Sequence, residues 1–366
     1  MEPKLKVLHI VNSFVHGGAE RILSQLADYQ SENYDVSVLL LKDIQDVNSQ
    51  NKDQENTFSL IVSPSEKFFS LQNLRLIRKH IKASDITHVH LFPAFYLVAI
   101  ASILLSQSKP IIYTEHSTNN KRRKKTLLRP LEKFIYSRYK MVICVSEPVA
   151  FALKKWVAFS NIKMIPNFYD HQQLHQQKAA QRSDFGLTEQ DKVMVMVGLF
   201  RNDNSKDQIT LIKSLQNLPP SFKLLLVGDG KNRKKAEAVV RQLKLEDRVN
   251  FLGLRKDVYS ILKVCDYGIL SSRWEGFPIS IIEYIASNLI VIGTNVEGIN
   301  NIIRDEKCLF ELGAHKELAE KILFFDKHAE ETNKIKEMQS AILTKYSVEQ
   351  SLQAHHKAYT SVLKNE

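Results

Sequence analysis

Short runs of consecutive apolar residues recur along the chain, separated by stretches with the spacing of amphipathic helices. Continuous apolar runs, unlike alternating ones, are typical of parallel strands that helices cover on both faces. The pattern therefore predicts two α/β halves, each with a parallel sheet. The predicted strands are KVLHIV, VSVLLL, ITHVH, PIIYT and MVICVS in the first half, and VMVMVG, FKLLLVG, VNFLG, YGILSS and LIVIGT in the second.

The chain length fits two domains. It has 366 residues, and a domain takes ~150 residues. Residues 170–186 are rich in Gln and His and poor in apolar residues, so we interpret them as the interdomain linker. We predict an N-terminal domain over 1–170, a C-terminal domain over 171–346 and a terminal helix over 347–366. Because ligands of open α/β sheets bind at the carboxyl ends of the strands, the two halves are expected to form a cleft there.

The segment RWEGFPISIIE places two carboxylates eight positions apart around a tight turn. Glu275 lies in the turn that follows the run YGILSS. Glu283 lies about one turn into the helix that is predicted next, where it can reach a ribose as the acidic residue of a dinucleotide site does. The alternative is that both glutamates are solvated surface charges. We interpret the spacing as that of a sugar-nucleotide clamp.

A helix N-terminus is predicted between the two glutamates. Pro278 suits the first helical position, since its φ is fixed and it has no N–H. Gly276 and Phe277 come directly before it, and Ile279 and Ser280 directly after it. The backbone N–H groups of such a segment point out of the helix, where the helix dipole favours an anion. We therefore predict a diphosphate site here.

Three further places carry candidate chemistry. Gly17 and Gly18 follow the first strand and precede a helical pattern, where glycine lets the backbone approach a ligand or simply serves a turn. Arg201 and Lys206 lie on the loop after the first strand of the second half and suit phosphate oxygens, unless that loop is only solvated. His116, in TEHS after PIIYT, is placed to bond a sugar hydroxyl or the reacting centre; its alternative is a structural role.

Several classes of protein are excluded by composition. Three cysteines lie far apart without a Cys-x-x-Cys pair, which argues against a disulfide framework or a zinc site and fits a reducing cytoplasm. No His, Asp and Glu cluster has convincing metal spacing, so no metal is predicted. The N-terminus lacks the pattern of a signal peptide. The apolar stretch 91–105 is shorter than the ~20 residues of a membrane span, and it predicts a buried helix.

The net charge of +11 is concentrated in one segment, because residues 121–140 hold nine basic residues and one acid. The basic run Lys121, Arg122, Arg123, Lys124 and Lys125 is predicted to contact an anionic membrane surface. The apolar stripe after it is predicted to face the core, and a membrane-bound amphipathic helix is the alternative. Nucleic acid is not predicted, since the segment has neither aromatic stacking groups nor a recognised binding module. The stripe consists of Leu127, Leu128, Leu131, Phe134 and Ile135.

Motifs along nearly the whole chain resemble the retaining glycosyltransferases of family four. These motifs are GGAE, TEHS, ICVSE, IPNFYD, KDQITLI, LLVGDG, FLGLRKDV and EGFPISIIE, the last resembling the family's Glu-x7-Glu signature. The resemblance implies the GT-B fold, with two facing Rossmann-like domains. IPNFYD has Phe168 where family members commonly have glycine.

Roles for individual residues are implied by the same resemblance. Glu275 matches the glutamate that holds hydroxyls of the donor sugar, and Glu283 the one that holds the ribose. Lys206 matches the phosphate-binding lysine, while Gly18 and the amides near Phe277 and Ile279 would approach the diphosphate. The family's arginine commonly follows the glycine directly, at the position of Leu199 here, so Arg201 stands in for it.

The resemblance also implies an activity. We expect a metal-independent transfer, with retention, from a UDP-sugar or GDP-sugar to a hydroxyl of a lipid-linked or other glycan acceptor. The UDP-sugar is favoured, and it is a co-substrate rather than a cofactor. The implied setting is cell-surface polysaccharide biosynthesis, by a cytoplasmic protein peripheral to the inner face of the plasma membrane. Two alternatives are a GT-B sugar-nucleotide 2-epimerase and a catalytically silent sugar-nucleotide-binding protein.

Overall fold

The computed structural model describes residues 3–14, 17–42, 57–103, 105 and 109–364. The chain divides into two compact units. The first unit comprises Met1–Asn167 with Glu349–Glu366, and the second comprises Phe168–Val348.

A parallel sheet of seven strands lies at the centre of the first unit, with the order β3-β2-β1-β4-β5-β6-β7. Its order reverses between β1 and β4, which is the position where open α/β sheets bind ligands. The short strands β3 and β7 form the two edges. The bounds are β1 Lys6–Val11, β2 Asp35–Leu40, β3 Ser59–Val62, β4 Ile86–His90, β5 Ile111–Glu115, β6 Met141–Cys144 and β7 Ile162–Met164.

Within the described residues, five helices lie between the strands of the first unit. The helix in the apolar stretch 91–105 is buried along most of its length, as the sequence predicts, because it packs between two neighbouring helices. In the described parts of the chain, no helix combines the length and the apolar content that crossing a membrane requires. The bounds are α1 Gly18–Gln30, α2 Leu71–Ala83, α3 Ala94–Ile103, α4 Arg129–Ser137 and α5 Glu147–Val157.

The second unit has a parallel sheet of six strands in the order β10-β9-β8-β11-β12-β13. Strands β8 and β11 are neighbours at its centre, and the order reverses between them. The bounds of the strands are β8 Lys192–Val197, β9 Phe222–Val227, β10 Val249–Gly253, β11 Tyr267–Leu270, β12 Ile290–Thr294 and β13 Leu309–Phe310. The helices are α6 His171–Gln176, α7 Gln208–Ser214, α8 Arg233–Gln242, α9 Val258–Leu262, α10 Ile279–Ala286, α11 His315–Lys327 and α12 Ala329–Ser340.

The predicted linker is part of the second unit. Asp170 caps α6 by accepting a hydrogen bond from the backbone N–H of Gln173. Leu174 and Phe185 are buried in the core of the second unit. The segment has few apolar residues, but these two are placed to pack, so it is folded and does not act as a free linker.

The terminal helix, α13 Val348–Leu363, packs on the first unit. Ala358, Tyr359 and Val362 are buried among side chains of β1 and β2. The Tyr359 hydroxyl lies 2.8 Å from Nδ1 of His88 on β4. The last helix in the sequence therefore completes the core of the first domain.

Candidate functional site

The loop after β8 is fastened to the segment that follows β11. The N–H of Asp207 donates to the carbonyl of Ser271, and the N–H of Arg273 donates to the carbonyl of Ser205, both at 2.9 Å. Lys206 and Ser272 form an isolated antiparallel bridge between these hydrogen bonds. Because β8 and β11 are neighbouring parallel strands, their carboxyl ends deliver the two loops to the same edge of the sheet.

Lys206 and Glu275 meet at this edge. The Lys206 Nζ lies 2.5 Å from the Glu275 Oε1, although the residues are 69 positions apart. The side chains are only 17% and 13% exposed. A charge-assisted hydrogen bond shielded from water is strong and holds both groups in place. The structure thus brings together the predicted phosphate-binding cation and the predicted sugar-binding carboxylate.

Gly298 packs against the backbone of Glu275. The sequence analysis did not predict this contact. The φ of Gly298 is +92°, and a Cβ built on it would lie 2.6 Å from the Glu275 carbonyl oxygen. A side chain here would be strained in φ and would collide with backbone. The sequence signal was the glycine in NVEG, four residues after the strand LIVIGT.

The helix between the two glutamates begins one residue later than predicted. Pro278 is the N-cap, with φ −81° and ψ 88°, and α10 starts at Ile279. The side chain of the N-cap residue makes no capping hydrogen bond. Phe277 stacks edge-on against Tyr346, with ring centroids 5.2 Å apart, which fixes the turn next to Gly276. The N–H groups that start α10 therefore receive no capping hydrogen bond from Pro278.

Glu283 lies on α10 and is only 2% exposed. Buried carboxylates are rare and need polar partners. Its position within the helix agrees with the sequence analysis, whereas its contact with a ribose stays a prediction.

Arg201 is held by its own loop. Its guanidinium lies 3.0 Å from the Asp203 carboxylate, and its side chain is 54% exposed. Burial would raise the pKa of the Asp203 carboxyl, but hydrogen bonds from Arg201 and Ser205 outweigh burial and lower that pKa to about 2. Arg201 therefore pairs with Asp203, and the Lys206–Glu275 pair forms without it.

Lys206 also lines a pocket. Lys235 and Arg273 also line it, together with Asn204 and Asn232. With Gln208, the lining has three cations and three amides against the single carboxylate of Asp207, and this excess of cations and N–H donors suits an anionic ligand.

The remaining predicted residues belong to the first unit. Gly17 is the N-cap of α1, with φ −107° and ψ 152°, and α1 begins at Gly18. These angles are those of an ordinary extended backbone, so the conformation at position 17 does not require a glycine. The structure places both glycines at a helix N-terminus after β1, as predicted.

His116 follows β5, as predicted from TEHS. Its Nε2 is buried and has no hydrogen-bond partner in the described structure. Burial lowers the pKa of His116 to about 4, so the imidazole is neutral at pH 7. A buried ring nitrogen without a partner costs free energy unless a ligand satisfies it. This observation favours ligand binding over a purely structural role.

Three more histidines converge next to His116, which the sequence analysis did not foresee. Ring nitrogens of His9, His88 and His90 all lie within 4.8 Å of one another, a grouping that could hold a metal ion. His9 and His90 come from neighbouring strands, and His88 alternates with His90 along β4. Strand pairing, which local spacing does not reveal, brings them together.

These histidines already bond one another and their neighbours. Nδ1 of His9 lies 3.1 Å from Nε2 of His90, and Nε2 of His9 lies 2.8 Å from the Gln30 side-chain oxygen. Nδ1 of His88 lies 2.8 Å from the Tyr359 hydroxyl, and Nε2 of His88 lies 2.6 Å from the Thr114 hydroxyl. Both ring nitrogens of His9 and of His88 therefore have partners in the chain. A metal ion would have to displace them, so the grouping is best explained as a buried hydrogen-bond network.

The prediction for the basic run is wrong for Arg122 and Arg123. Arg122 lies 3.1 Å from Glu132, and Arg123 lies 2.8 Å from Glu115; their side chains are 11% and 10% exposed. Both point inward because buried carboxylates require cations. Lys124 and Lys125 are exposed, and the side chain of Lys121 lies outside the described side chains.

The prediction for the apolar stripe is also wrong for three of its residues. Ile135 is buried, but Leu127, Leu131 and Phe134 are 93%, 46% and 50% exposed. Helix α4 turns Ile135, Tyr136 and Glu132 inward. The helix therefore presents apolar side chains to the solvent.

Family models match both units. Residues 16–173 match Glycosyltransferase Family 4, and residues 177–340 match Glycosyl transferases group 1. The two matches lie in tandem and together span most of the chain. Each unit is therefore similar to a glycosyltransferase family model.

Two curated relatives align with most of the chain. N-acetyl-alpha-D-glucosaminyl L-malate synthase of Bacillus anthracis is 26% identical over 298 residues, which cover 77% of this chain and 76% of the relative. UDP-Gal:alpha-D-GlcNAc-diphosphoundecaprenol alpha-1,3-galactosyltransferase of Escherichia coli is 25% identical over 327 residues, covering 83% and 82%.

A solved structure shares the fold. Anabaena HepE in complex with UDP-glucose superposes with a TM-score of 0.86 at 22% identity, covering 98% of this chain and 100% of HepE. The chain therefore has the GT-B fold with two Rossmann-like domains, as the resemblance implied.

Proposed function

We propose that this glycosyltransferase moves a sugar from a UDP-sugar or GDP-sugar, with UDP favoured, to a hydroxyl of a lipid-linked glycan. The transfer retains the configuration of the anomeric carbon and serves the biosynthesis of a cell-surface polysaccharide. The observation that carries the proposal is the shielded pair of Lys206 and Glu275 at the carboxyl edge of the second sheet.

Donor binding rearranges this pair. A sugar diphosphate brings anionic oxygens to Lys206, and the ammonium group exchanges the Glu275 carboxylate for phosphate. The freed carboxylate then accepts hydrogen bonds from hydroxyls of the sugar. Phosphate and sugar are thereby bound by two residues that already hold each other in position. The close approach of Gly298 fixes the position of the Glu275 backbone.

The start of α10 supplies the second part of the diphosphate site. The backbone N–H groups of Phe277, Ile279 and Ser280 face the anion, and the helix dipole adds partial positive charge. Glu283, one turn further into α10, holds the ribose. Arg201 contributes only if it leaves Asp203.

The protein acts by positioning the reactants and stabilising the leaving group. As the phosphate–sugar bond breaks, negative charge grows on the diphosphate, where Lys206 and the N-terminus of α10 stabilise it. The departing phosphate oxygen takes the proton from the acceptor hydroxyl on the same face of the sugar, which retains the configuration. In the first unit, the Nε2 of His116, which has no partner in the described structure, is proposed to accept a hydrogen bond from a substrate hydroxyl or to donate one to it.

Two lines of support favour a UDP-sugar and a lipid-linked acceptor. HepE is described in complex with UDP-glucose, and the E. coli relative uses UDP-Gal and a diphosphoundecaprenol-linked acceptor. Such an acceptor is embedded in a membrane, and we propose that the enzyme acts as a peripheral protein at the inner face of the plasma membrane.

A panel of UDP-sugars and GDP-sugars tests the proposal. Purified protein is incubated with each donor, with and without membrane lipid extract, and nucleotide release is measured. We expect release from one donor that depends on lipid, and an anomeric proton signal of the product that shows retention.

The same assay separates the alternatives. Conversion of a UDP-sugar to its 2-epimer without any acceptor would support the epimerase. Tight nucleotide binding without release from any donor, in the presence of lipid extract, would support the silent binding protein. Either result would contradict the proposed transferase.

A further inference from the structure

We infer that the outer face of α4 docks on an anionic lipid bilayer, and that its apolar side chains insert into the surface. The α4 face is defined as Leu131, Lys133 and Phe134 of α4 together with Lys124, Lys125 and Leu127 of the segment that leads into it. This inference rests on the proposed function, since an enzyme that glycosylates a lipid-linked acceptor works at a membrane surface.

The apolar part of the face combines two residues on one side of α4 with one residue of the turn before it. Leu131 and Phe134 are three positions apart on α4, and Leu127 lies four positions before Leu131 in the short 3-10 turn Thr126–Leu128. Residues three and four apart lie on the same side of a helix. Leu127, Leu131 and Phe134 are 93%, 46% and 50% exposed. Three large apolar side chains therefore lie in water, and a binding partner would bury them.

The inward side of α4 explains why these residues cannot turn inward. Ile135 and Tyr136 are buried there. Glu132 is fully buried and accepts hydrogen bonds from Tyr96 at 2.5 Å and Trp156 at 2.8 Å. Rotating the helix to bury its apolar side would expose Ile135 and break these bonds. The orientation of α4 is therefore fixed by the core.

The charge around the apolar stripe selects the partner. Glu132 is the one acidic residue between His116 and Ser146, and its carboxylate is buried and paired with Arg122. Lys124, Lys125 and Lys133 are exposed. The face thus presents positive charge and apolar side chains without any exposed carboxylate, which is the complement of anionic headgroups above acyl chains.

The neighbouring helix also carries exposed apolar and basic side chains. α5 packs against α4, and its Phe151 is 68% exposed. Lys154 and Lys155 of α5 are exposed as well. Two adjacent helices therefore show the same combination of an apolar side chain and lysines.

Vesicle flotation of the full chain tests the inference. One set of vesicles is phosphatidylcholine, and the other contains about one-third phosphatidylglycerol. We expect the protein to float with the anionic vesicles and to be released by high salt. The triple variant Leu127→Gln, Leu131→Gln, Phe134→Gln should lower the partition coefficient at least about tenfold, because it removes three inserting side chains. The triple variant Lys124→Ser, Lys125→Ser, Lys133→Ser should lower it on the order of 100-fold on anionic vesicles.

A matched control replaces exposed apolar residues elsewhere. Leu71 and Met338 are 71% and 54% exposed, and the double variant Leu71→Gln, Met338→Gln should float like the wild type. Thermal unfolding checks that every variant is folded. The inference is overturned if the wild type ignores anionic vesicles, or if the stripe variant floats like the wild type. Retention on RNA without flotation would assign the face to nucleic acid, and would also overturn it.

The flotation assay contains no sugar nucleotide, so its outcome is independent of the proposed chemistry. If the α4 face docks but no donor is used, the proposed function fails and the docking stands. If sugar is transferred to a detergent-dispersed acceptor but flotation is absent, the docking fails and the transferase stands.

Discussion

Gly298 and Glu275 are in direct backbone contact, so a Cβ added to Gly298 would lie 2.6 Å from the Glu275 carbonyl oxygen. The contact links the loop after β12 to the turn before α10. Since Glu275 is the partner of Lys206, a glycine far along the sequence determines where the carboxylate lies.

Replacing Gly298 tests this relationship. Gly298→Ala adds backbone strain of about 1–3 kcal/mol at φ +92°, and it also displaces Glu275. Gly313 is the matched control, since its φ is +84° and nothing lies within 4 Å of an added Cβ. We expect both variants to lose stability in urea unfolding but only Gly298→Ala to lose donor binding by calorimetry. Equal donor affinity in the two variants would contradict the assigned role of Gly298.

Lys206 is predicted to act on the leaving group. Lys206→Ala should lower the rate of nucleotide release about 100-fold, as loss of one preorganised donor does. Lys213 on the same loop–helix element is exposed, and Lys213→Ala should leave the rate unchanged. Steady-state kinetics with the donor identified in the panel measure both. A Lys206→Ala enzyme with the rate of the wild type would remove Lys206 from the mechanism.

Metal removal separates two ways of stabilising the diphosphate. If Lys206 and the N-terminus of α10 supply the positive charge, EDTA leaves nucleotide release unchanged. Activity that disappears with EDTA and returns with Mg²⁺ or Mn²⁺ would contradict the metal-independent mechanism.

Arg123 is predicted to be structural. Its guanidinium lies 2.8 Å from Glu115, a residue only 3% exposed, and the Tyr136 hydroxyl donates to the same carboxylate. Arg123→Ala leaves that carboxylate buried without its cation and should cost about 3 kcal/mol in the free energy of unfolding. Its exposed neighbour provides the control Lys124→Ala, which should cost under about 0.5 kcal/mol.

A double variant tests whether the cost comes from the unpaired charge. Arg123→Gln combined with Glu115→Gln removes both charges and should recover part of the stability. No recovery would show that the side chains stabilise the unit by packing alone.

Acid should weaken the first unit through its buried histidines. Burial lowers the pKa values of His9, His116 and His355 to about 4, whereas the ordinary value is 6.5. Above pH 6.5 the folded and unfolded chains bind equal numbers of protons at these groups. Between 6.5 and about 4 the unfolded chain binds more, so the free energy of unfolding falls by at most about 1.4 kcal/mol per pH unit for each histidine.

Amide hydrogen exchange of β1 and β4 across this range measures the loss. His328 in the second unit is exposed, and His328→Gln should leave the profile unchanged. His355→Gln should make the profile shallower. Exchange rates that, once corrected for their intrinsic dependence on pH, stay constant from 6.5 to 4 would contradict the prediction.

Central strands were predictable because burial on both faces leaves a continuous apolar run. The central strands β1 and β4 occur at the predicted residues, and so does the edge strand β10. The runs did not reveal β3, β7 and β13, which lie at sheet edges. β3 and β7 are partly exposed, so they carry no such run, and β13 has only two residues.

The amino-acid sequence by itself determined the α/β architecture, the two domains and the positions of Lys206, Glu275 and Glu283, since apolar runs and local motifs are short-range properties. The tertiary structure alone decided that Lys206 pairs with Glu275, that Gly298 supports Glu275, and that α13 joins the first unit. It also decided the orientation of α4, where buried Glu132 and Glu115 draw Arg122 and Arg123 inward and leave Leu127, Leu131 and Phe134 outside. These features depend on which distant groups share a buried environment, and the path of the chain through space determines that.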